Sequence, residues 1–305
     1  MAAIECRDVH RHFKDVRAVD GVDLTVEAHQ IFGLLGPNGS GKTTLLNVLQ
    51  GLDRPTSGTV SVLGLDPIAQ HDVLVERMGT QLQESTIIPR LTVREALRTF
   101  ASFYPRTRDV DELLAGLGLA AKAGARVERL SGGQRQRVFI ALAMLHDPEL
   151  LFFDELTSAV DPQARLAIWD VLRGLRDDGR TIVLTTHSME EAQALCDRIA
   201  IIDAGQIIAE GTTRELIERY AGGASLRLRL VGESATDVDL RVADGVASVE
   251  REGEMVVVRG TDGFAPRVMA LLAAEDVVVQ EMKTVEPTLQ DVFLALTGRR
   301  MREGE

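Results

Sequence analysis

The residues Gly36-Pro-Asn-Gly-Ser-Gly-Lys-Thr43 have the types and spacing of a loop that wraps around a polyphosphate. Glycines let backbone N–H groups turn towards an anion, the lysine reaches the terminal phosphates, and the threonine hydroxyl can ligate Mg²⁺. The predicted phosphate-binding residues are Gly36, Pro37, Asn38, Gly39, Ser40, Gly41, Lys42, Thr43 and the following Thr44. This loop predicts binding of a nucleoside triphosphate, but it does not identify the reaction.

A second set of chemically useful residues stands at the end of the apolar run Leu150–Phe153, which is followed by Asp154 and Glu155. A buried strand would carry Asp154 to the edge of the phosphate site, where its charge can hold Mg²⁺ and its water shell beside Thr43. Glu155 would lie at the strand exit, where a carboxylate can orient an attacking water. The alternative is a strand that ends in two surface acids.

Predicted strands and a predicted helix flank the phosphate loop and the two acids in the sequence, and could hold them in position. Residues 31–35, 150–154, 181–186 and 198–203 read as buried strands, and residues 44–49 read as a helix whose N-terminus faces the anion. Strand and helix patterns alternate up to about residue 222, which predicts an α/β domain with a mostly parallel sheet. Residues 84–135, mostly helical in pattern, form a predicted inserted helical subdomain. Asp203-Ala-Gly-Gln206 predicts a hairpin turn.

The pentapeptide Leu130-Ser-Gly-Gly-Gln134 resembles the signature sequence of the ATP-binding cassette (ABC) ATPases. The residues concerned are Ser131, Gly132, Gly133 and Gln134, ahead of a predicted helix over 134–146 that is stopped by Asp147-Pro148. The resemblance implies that they bind the γ-phosphate of ATP held by another copy. It therefore implies a head-to-tail homodimer with ATP and Mg²⁺ as ligands.

The same resemblance assigns roles to further residues. It implies that Glu155 polarises the attacking water and that His187, after strand 181–186, contacts the γ-phosphate as a switch histidine. Gln83 matches the Q-loop glutamine, which contacts Mg²⁺ and the water; Gln81 is a nearby alternative. Leu82 stands where the family usually has proline, and Leu156 likewise replaces a common proline.

Two more residues match family positions and also have plain structural readings. Phe13 matches the aromatic residue that stacks on adenine, although it could be an edge residue of the core. Asp161, in a segment that resembles the D-loop, could contact the opposite subunit and also cap the helix that begins at Pro162. Ser188 with Glu191 predicts a capping box at another helix.

The implied fold is a P-loop ABC cassette with an antiparallel β subdomain, over residues 1–222, followed by a small α+β domain over 223–305. In the second domain, strands are expected near 226–230, 254–259 and 277–282, with one helix around Pro266. Another helix should follow Pro287, with Thr288 and Asp291 as its capping pair. This second domain is interpreted as an accessory or regulatory one.

The composition argues against three classes of protein: membrane-spanning, nucleic-acid-binding and disulfide-stabilised. The 305 residues are 45% hydrophobic and 26% charged, as in ordinary globular chains, and no apolar run approaches the roughly 18 residues that span a bilayer. A net charge of −12 argues against a nucleic-acid partner. Two cysteines, Cys6 and Cys196, are too few for a disulfide scaffold.

The ending Glu286-Pro-Thr-Leu-Gln-Asp-Val-Phe-Leu-Ala-Leu-Thr-Gly298 resembles that of daunorubicin-resistance-type ATPases, as does Asp154-Glu-Leu-Thr157. The resemblance implies an ATPase on the cytoplasmic side of the membrane that drives a separate multispanning ABC-2-type permease. Its cargo would be a drug or another hydrophobic compound. The alternatives are a soluble ABC ATPase acting on ribosomes or DNA, and an importer ATPase with a regulatory tail.

Overall fold

The computed structural model of the protein describes residues 2–81, 88, 90–158, 160–221, 224–231, 238–260 and 263–298. The chain forms two compact units that divide between Thr212 and Thr213. The sequence predicted a boundary after residue 222. The division lies earlier because the helix Thr213–Tyr220 packs on the helix Leu289–Thr297 within the second unit.

Among its described residues, the first unit contains nine strands, seven α-helices and two short 3-10 helices, Ala120–Lys122 and Val127–Arg129. The strands are β1 (Ala2–Phe13), β2 (Val16–Glu27), β3 (Ile31–Leu35), β4 (Ser57–Val62), β5 (Met78–Gln81), β6 (Leu150–Asp154), β7 (Thr181–Thr186), β8 (Arg198–Asp203) and β9 (Gln206–Gly211). The helices are α1 (Lys42–Leu49), α2 (His71–Leu74), α3 (Val93–Ala101), α4 (Val110–Gly116), α5 (Gly132–Ala143), α6 (Pro162–Asp177) and α7 (Met189–Leu195).

The main sheet has six strands in the order β5-β6-β7-β3-β8-β9. All neighbouring pairs are parallel except the β8–β9 hairpin, whose turn uses Ala204 and Gly205 at positive φ. Every residue of β3, β6 and β7 is buried, as expected for continuous apolar strands covered on both faces. The predicted α/β fold with a mostly parallel core sheet is confirmed.

The antiparallel β subdomain is a separate three-stranded sheet in the order β2-β1-β4. Its buried side chains share one apolar cluster with α1 and with one face of the main sheet. This cluster includes Ile4, Val22, Leu45, Val62 and Phe152. The arrangement fixes β1, β2 and the hairpin between them beside the start of α1.

Helix α5 begins two residues earlier than its predicted start at Gln134 and ends at Ala143, before the predicted end at residue 146. A capping box explains the start, since Ser131 Oγ accepts the Gln134 N–H and Gln134 Oε1 accepts the Ser131 N–H. Met144 ends the helix as its C-cap residue, ahead of Asp147 at a positive φ. The two signature glycines therefore belong to the first helical turn.

Among its described residues, the second unit combines a four-stranded antiparallel sheet with three α-helices and one 3-10 helix, Leu240–Val242, in keeping with the predicted α+β composition. Its elements are α8 (Thr213–Tyr220), β10 (Ser225–Val231), β11 (Val246–Glu252), β12 (Met255–Gly260), α9 (Phe264–Ala274), β13 (Val278–Val285) and α10 (Leu289–Thr297). The strand order is β11-β12-β10-β13. Leu226, Leu228, Val258, Val268 and Leu272 form its core. The predicted Thr288–Asp291 capping box is present.

Within the described residues, none of the helices has the length and apolar character needed to cross a membrane.

Candidate nucleotide site

The site lies where three neighbouring parallel strands end. Gly36 follows β3, Asp154 ends β6, and His187 follows β7, and these strands are adjacent in the order β6-β7-β3. Carboxyl ends of parallel strands open into one crevice, which is where α/β sheets bind ligands. Three segments that are far apart in sequence are thereby brought to one edge.

The phosphate loop needs glycine at two of its positions for steric reasons. A Cβ on Gly36 would lie 2.3 Å from Ile202 O, and one on Gly41 would lie 2.2 Å from Ala18 O. Gly41 also has a φ of 106°, which L side chains rarely adopt. The loop can therefore form only with backbone atoms packed closely against β2 and β8.

Lys42 is almost fully buried at the first position of α1. Its Nζ donates to Gly36 O at 2.9 Å and to Pro37 O at 3.0 Å, and lies 3.6 Å from Glu155 Oε1. Burial lowers the pKa of the Lys42 ammonium, while the nearby Glu155 and Asp154 carboxylates act in the opposite direction. The Lys42 ammonium therefore lies inside the phosphate loop, beside the Glu155 carboxylate.

Asp154 and Thr43 converge from opposite sides of the crevice. Thr43 Oγ1 lies 3.4 Å from Asp154 Oδ1, and the same carboxylate oxygen accepts a short hydrogen bond from Thr185 Oγ1. Asp154 is only 2% exposed. A hydroxyl and a carboxylate are the hard oxygen donors that suit Mg²⁺, so this pair fits the predicted ion.

Glu155 occupies a backbone conformation that is unusual for its type. Its φ is 48°, and its N–H is directed at Thr185, 3.1 Å from Oγ1 and 3.3 Å from the carbonyl oxygen. Its Oε1 lies 3.5 Å from His187 Nδ1. Non-glycine residues at positive φ cost free energy and cluster at functional sites. This turn directs the carboxylate towards Lys42 and His187 together.

A cleft of about 450 Å³ contains Lys42, Thr43 and Glu155, whereas His187 lines a second cleft of about 290 Å³ that shares Glu155 with the first. The larger cleft is lined by Val16, Arg17, Ala18, Asn38, Gly39, Gly41, Lys42, Thr43, Thr44, Glu155, Ala204 and Gly205. Ser40 lies behind the lining with only 3% of its surface exposed, and its carbonyl accepts the Gly205 N–H at 2.9 Å. The cleft is thus bounded by the loop, the β1–β2 hairpin region and the β8–β9 turn.

The signature residues do not join this cleft: among its described lining residues, none comes from 131–134. They form the N-terminus of α5 instead, with Ser131 as the N-cap residue. A Cβ on Gly133 would lie 2.4 Å from Ala164 Cβ, so the glycine also permits close packing of α5 against α6. Asp161 caps α6, its Oδ1 accepting the Ala164 N–H at 3.0 Å, and Pro162 begins the helix.

Phe13 ends β1 opposite Val16, a residue of the cleft lining, and is 43% exposed. The guanidinium of Arg11 lies over the Phe13 ring at 4.1 Å, and Arg11 Nη2 is in turn 2.9 Å from Asp53 Oδ1. One face of the ring is therefore covered by a cation, so an adenine would have to use the other face. Phe13 itself is not among the described residues that line the cleft.

Gln83, predicted as a catalytic and metal-contacting residue, lies outside the described residues. The alternative considered for it, Gln81, is the last residue of β5 and is buried.

Sequence reasoning missed Thr185, which contacts both acids of the site. The only sequence signal was the pair Thr185-Thr186 at the carboxyl end of the predicted strand 181–186, and the pairing of this strand with the one that carries Asp154 appears only in the sheet. It also assigned Glu191 to a capping box. Ser188 does accept the Glu191 N–H, but Glu191 Oε1 accepts hydrogen bonds from Thr157 Oγ1 at 2.5 Å and Trp169 Nε1 at 3.0 Å. Ser188 therefore caps the helix as predicted, but the Glu191 carboxylate binds Thr157 and Trp169 from other elements.

Comparison with known proteins agrees with this geometry. A family model described as ABC transporter matches residues 19–158. The "Nod factor export ATP-binding protein I" of Rhizobium etli is 36% identical over 99% of this chain and 96% of its own length. The protein of the same name from Cupriavidus metallidurans is 39% identical over 99% of both chains.

Solved structures agree on the fold. A dimeric bacterial ABC transporter cassette has a TM-score of 0.61 and 29% identity, covering 68% of this chain and 98% of that one. A nucleotide-free ATP-binding cassette from an ABC transporter has a TM-score of 0.64 at 24% identity, over 72% of this chain and 94% of that one. This chain therefore belongs to the ATP-binding protein family of ABC transporters and is the ATP-binding, ATP-hydrolysing subunit of such a transporter.

Proposed function

We propose that two copies of this chain close head to tail around two ATP molecules and drive export through a separate multispanning ABC-2-type permease. One observation carries the first part: the phosphate-binding cleft does not contain the signature residues 131–134 among its described lining. A second copy can supply them, since the N-terminus of α5 offers N–H groups and a positive dipole end. The dimeric cassette among the solved structures is in keeping with this.

Within each composite site, Lys42 is proposed to neutralise charge on the terminal phosphates. Glu155 orients the attacking water, and His187, which lies beside the same carboxylate, contacts the γ-phosphate. Lys42 Nζ and His187 Nδ1 lie 3.6 and 3.5 Å from Glu155 Oε1, which supports a shared role of the three side chains at one reacting group. Phosphoryl transfer depends mainly on positioning and electrostatics, so such an arrangement is sufficient.

Thr43 and Asp154 are the proposed Mg²⁺ contacts, with Gln83 as a further one on the evidence of sequence alone. Mg²⁺ would supply charge neutralisation to the phosphates. Phe13 is proposed to stack on adenine with its face away from Arg11, and Asp161 to contact the opposite copy. These assignments rest on the resemblance and on the positions described above.

Export is proposed because the similar curated proteins are named for Nod factor export. The compound carried by this chain's transporter would be a drug or another hydrophobic molecule, chosen by the permease. The permease would hold the ATPase at the cytoplasmic face of the membrane. The residues 223–305 are proposed to be an accessory or regulatory domain.

The test of the composite site uses Glu155→Gln, which removes the water-orienting carboxylate while leaving the phosphate loop intact. With ATP this variant should become dimeric in light scattering after size exclusion, and it should hydrolyse ATP at least 100-fold more slowly than wild type. The matched control, Glu155→Gln with Lys42→Ala, should remain monomeric because it lacks the phosphate-binding cation. An ATP-loaded Glu155→Gln protein that stays monomeric would contradict pairing.

The permease partner is tested separately: the full chain is co-expressed with any all-helical membrane protein that a neighbouring reading frame encodes, and the two are purified together from membranes. Recovery of a stable membrane complex that hydrolyses ATP is expected. Sedimentation with ribosomes instead, with no membrane partner, would favour the non-transport alternative.

A further inference from the structure

A second constellation of chemically active side chains stands on the antiparallel sheet. His10 and His12 lie two residues apart on β1, and Asp20 lies directly opposite His10 on β2. Alternate residues of a strand share one face, and the two imidazole rings do meet edge to face, with centroids 5.6 Å apart. The nucleotide site uses none of these three residues.

The donor atoms of this group converge. Asp20 Oδ1 lies 3.1 Å from His10 Nδ1 and 3.6 Å from His12 Nε2, and one ligand atom from each residue falls within 4.8 Å of the others. Zn²⁺ binds imidazole nitrogen and carboxylate oxygen at about 2.0–2.2 Å, which places tetrahedral ligands about 3.3 Å apart. Small rotations of the two rings would bring the three atoms to that spacing.

An unpartnered nitrogen of His12 gives an independent indication of a cation site. Its Nε2 atom is shielded from solvent and has no hydrogen-bond partner, although it faces the Asp20 carboxylate. A buried polar atom without a partner is costly and calls for an explanation. A cation between His12 and Asp20 would satisfy it.

The surroundings of His10 match those of a metal-bound histidine. Its second nitrogen, Nε2, lies 3.0 Å from Asp8 Oδ1, so that carboxylate can fix the tautomer that leaves Nδ1 free to ligate. Asp8 is aimed there by an irregularity in the β1–β2 pairing between Cys6 and Val9, where Asp8 itself has a φ of 46°. Bulges of this kind re-aim side chains.

The other Asp20 oxygen is occupied elsewhere. Arg17 Nη1 lies 3.5 Å from Asp20 Oδ2, which leaves Oδ1 to the imidazoles. The side chains of His10, His12 and Asp20 are 23%, 31% and 20% exposed, so an ion could enter from solvent and keep a water as its fourth ligand. Among the residues that the structure describes, no other three His, Cys, Asp or Glu side chains converge in this way.

We propose that His10, His12 and Asp20 bind one divalent transition-metal ion of the Zn²⁺ class, with Asp8 orienting His10 from outside the coordination shell. Two imidazoles and one carboxylate favour Zn²⁺ and similar ions over Mg²⁺, which prefers oxygen ligands. The ion would cross-link β1 to β2 behind the hairpin whose residues Val16 and Arg17 line the nucleotide cleft.

The proposal is tested by calorimetric titration of the full chain with Zn²⁺. The protein is prepared without a polyhistidine tag, stripped with chelator, free of nucleotide, and kept in excess Mg²⁺ to occupy oxygen-rich sites. One equivalent of Zn²⁺ should bind, and Co²⁺ bound in its place should give the intense visible bands of a tetrahedral site. His12→Gln and Asp20→Asn should abolish this binding, while circular dichroism shows that both variants are folded.

Two further variants sharpen the result. Asp8→Asn should weaken Zn²⁺ binding about 10- to 100-fold without changing the stoichiometry, because it removes the orienting carboxylate but no ligand. His29→Asn is the matched control: it removes an exposed imidazole elsewhere, and asparagine tolerates the positive φ of 63° at that position. It should bind as wild type does. Absence of saturable binding, or binding that survives His12→Gln, would overturn the site and leave a hydrogen-bonded cluster only.

Discussion

Thr185 shows how one side chain can hold two acids in place. Its hydroxyl donates to Asp154 and accepts from the Glu155 N–H at 3.1 Å, so a single oxygen orients the Asp154 carboxylate and stabilises the strained turn that follows. The neighbouring carbonyl of Thr185 lies 3.3 Å from the same N–H. The positive φ of Glu155 thus depends on a partner in the adjacent strand.

Thr185→Val keeps the shape of the side chain and removes both hydrogen bonds. We expect a loss of about 1–3 kcal/mol in the free energy of unfolding, since buried groups lose their partners, and a lower rate of ATP hydrolysis. Urea unfolding and steady-state turnover measure the two effects. Thr181→Val is the matched control on the same strand: it loses the bond to the His29 N–H and should lose stability but not activity. Equal activity of both variants would show that Thr185 does not position the acids.

At the scale of elements, Glu191 joins three segments that are separate in the sequence and come into contact only in the fold: helix α7, helix α6 and the loop after β6. From α7 it accepts hydrogen bonds from Thr157, in the loop after Glu155, and from Trp169 on α6. The carboxylate is 4% exposed. The network therefore ties the loop that follows Glu155 to the helices α6 and α7.

Glu191→Ala should destabilise the protein by about 1–3 kcal/mol, because it leaves Trp169 Nε1 and Thr157 Oγ1 buried without an acceptor. Glu191→Gln keeps an acceptor oxygen and should retain most of the stability. Trp169 is the chain's single tryptophan, so its fluorescence follows unfolding and should shift to longer wavelength in the alanine variant. Identical unfolding midpoints for the two variants would argue against the network.

The close packing of α5 on α6 at Gly133 predicts that a larger residue there destabilises the fold. Gly133→Ala should destabilise by about 1–3 kcal/mol, because the added Cβ meets Ala164 Cβ at 2.4 Å. Adding Ala164→Gly should restore part of that loss, measured as a non-additive term in a double-mutant cycle of urea unfolding. Gly174→Ala, on α6 with open space at its Cβ, is the control and should stabilise by about 0.5–1 kcal/mol. Strictly additive losses would contradict the close packing.

The bounds of the main strands could be predicted from the sequence, but those of helix α5 and the partners of some side chains could not. Strands β3, β6, β7 and β8 have their predicted bounds because continuous apolar runs between turn residues leave little choice. Helix α5 does not, because glycine is a weak helix former and the capping box at Ser131 decides the start. Glu191 and Thr185 could not be assigned correctly from local pattern, since their partners lie on other strands and helices. Gln83 stays a prediction.

At the scale of the whole molecule, the proposed dimer makes activity a property of paired chains. Lys42→Ala disables a phosphate loop, and Ser131→Arg places a bulky cation at the N-terminus of α5. Each variant alone should be inactive, but a mixture should recover about a quarter of the wild-type rate if copies pair at random and sites act independently. A chain that carries both substitutions, mixed with an inactive single variant, is the control and should recover nothing. No recovery in the first mixture would mean that loop and signature act within one chain.

Both thiols of the chain are buried: Cys6 is 3% and Cys196 9% exposed, and burial raises the pKa of the Cys6 thiol to about 12 and that of Cys196 well above its ordinary value. Thiol reagents attack the thiolate, so the native protein should resist maleimide dyes at neutral pH. A cysteine introduced on the surface could then carry a fluorophore with the natural pair left intact. Distances between two labelled copies could be followed through a turnover cycle in an otherwise unmodified sequence.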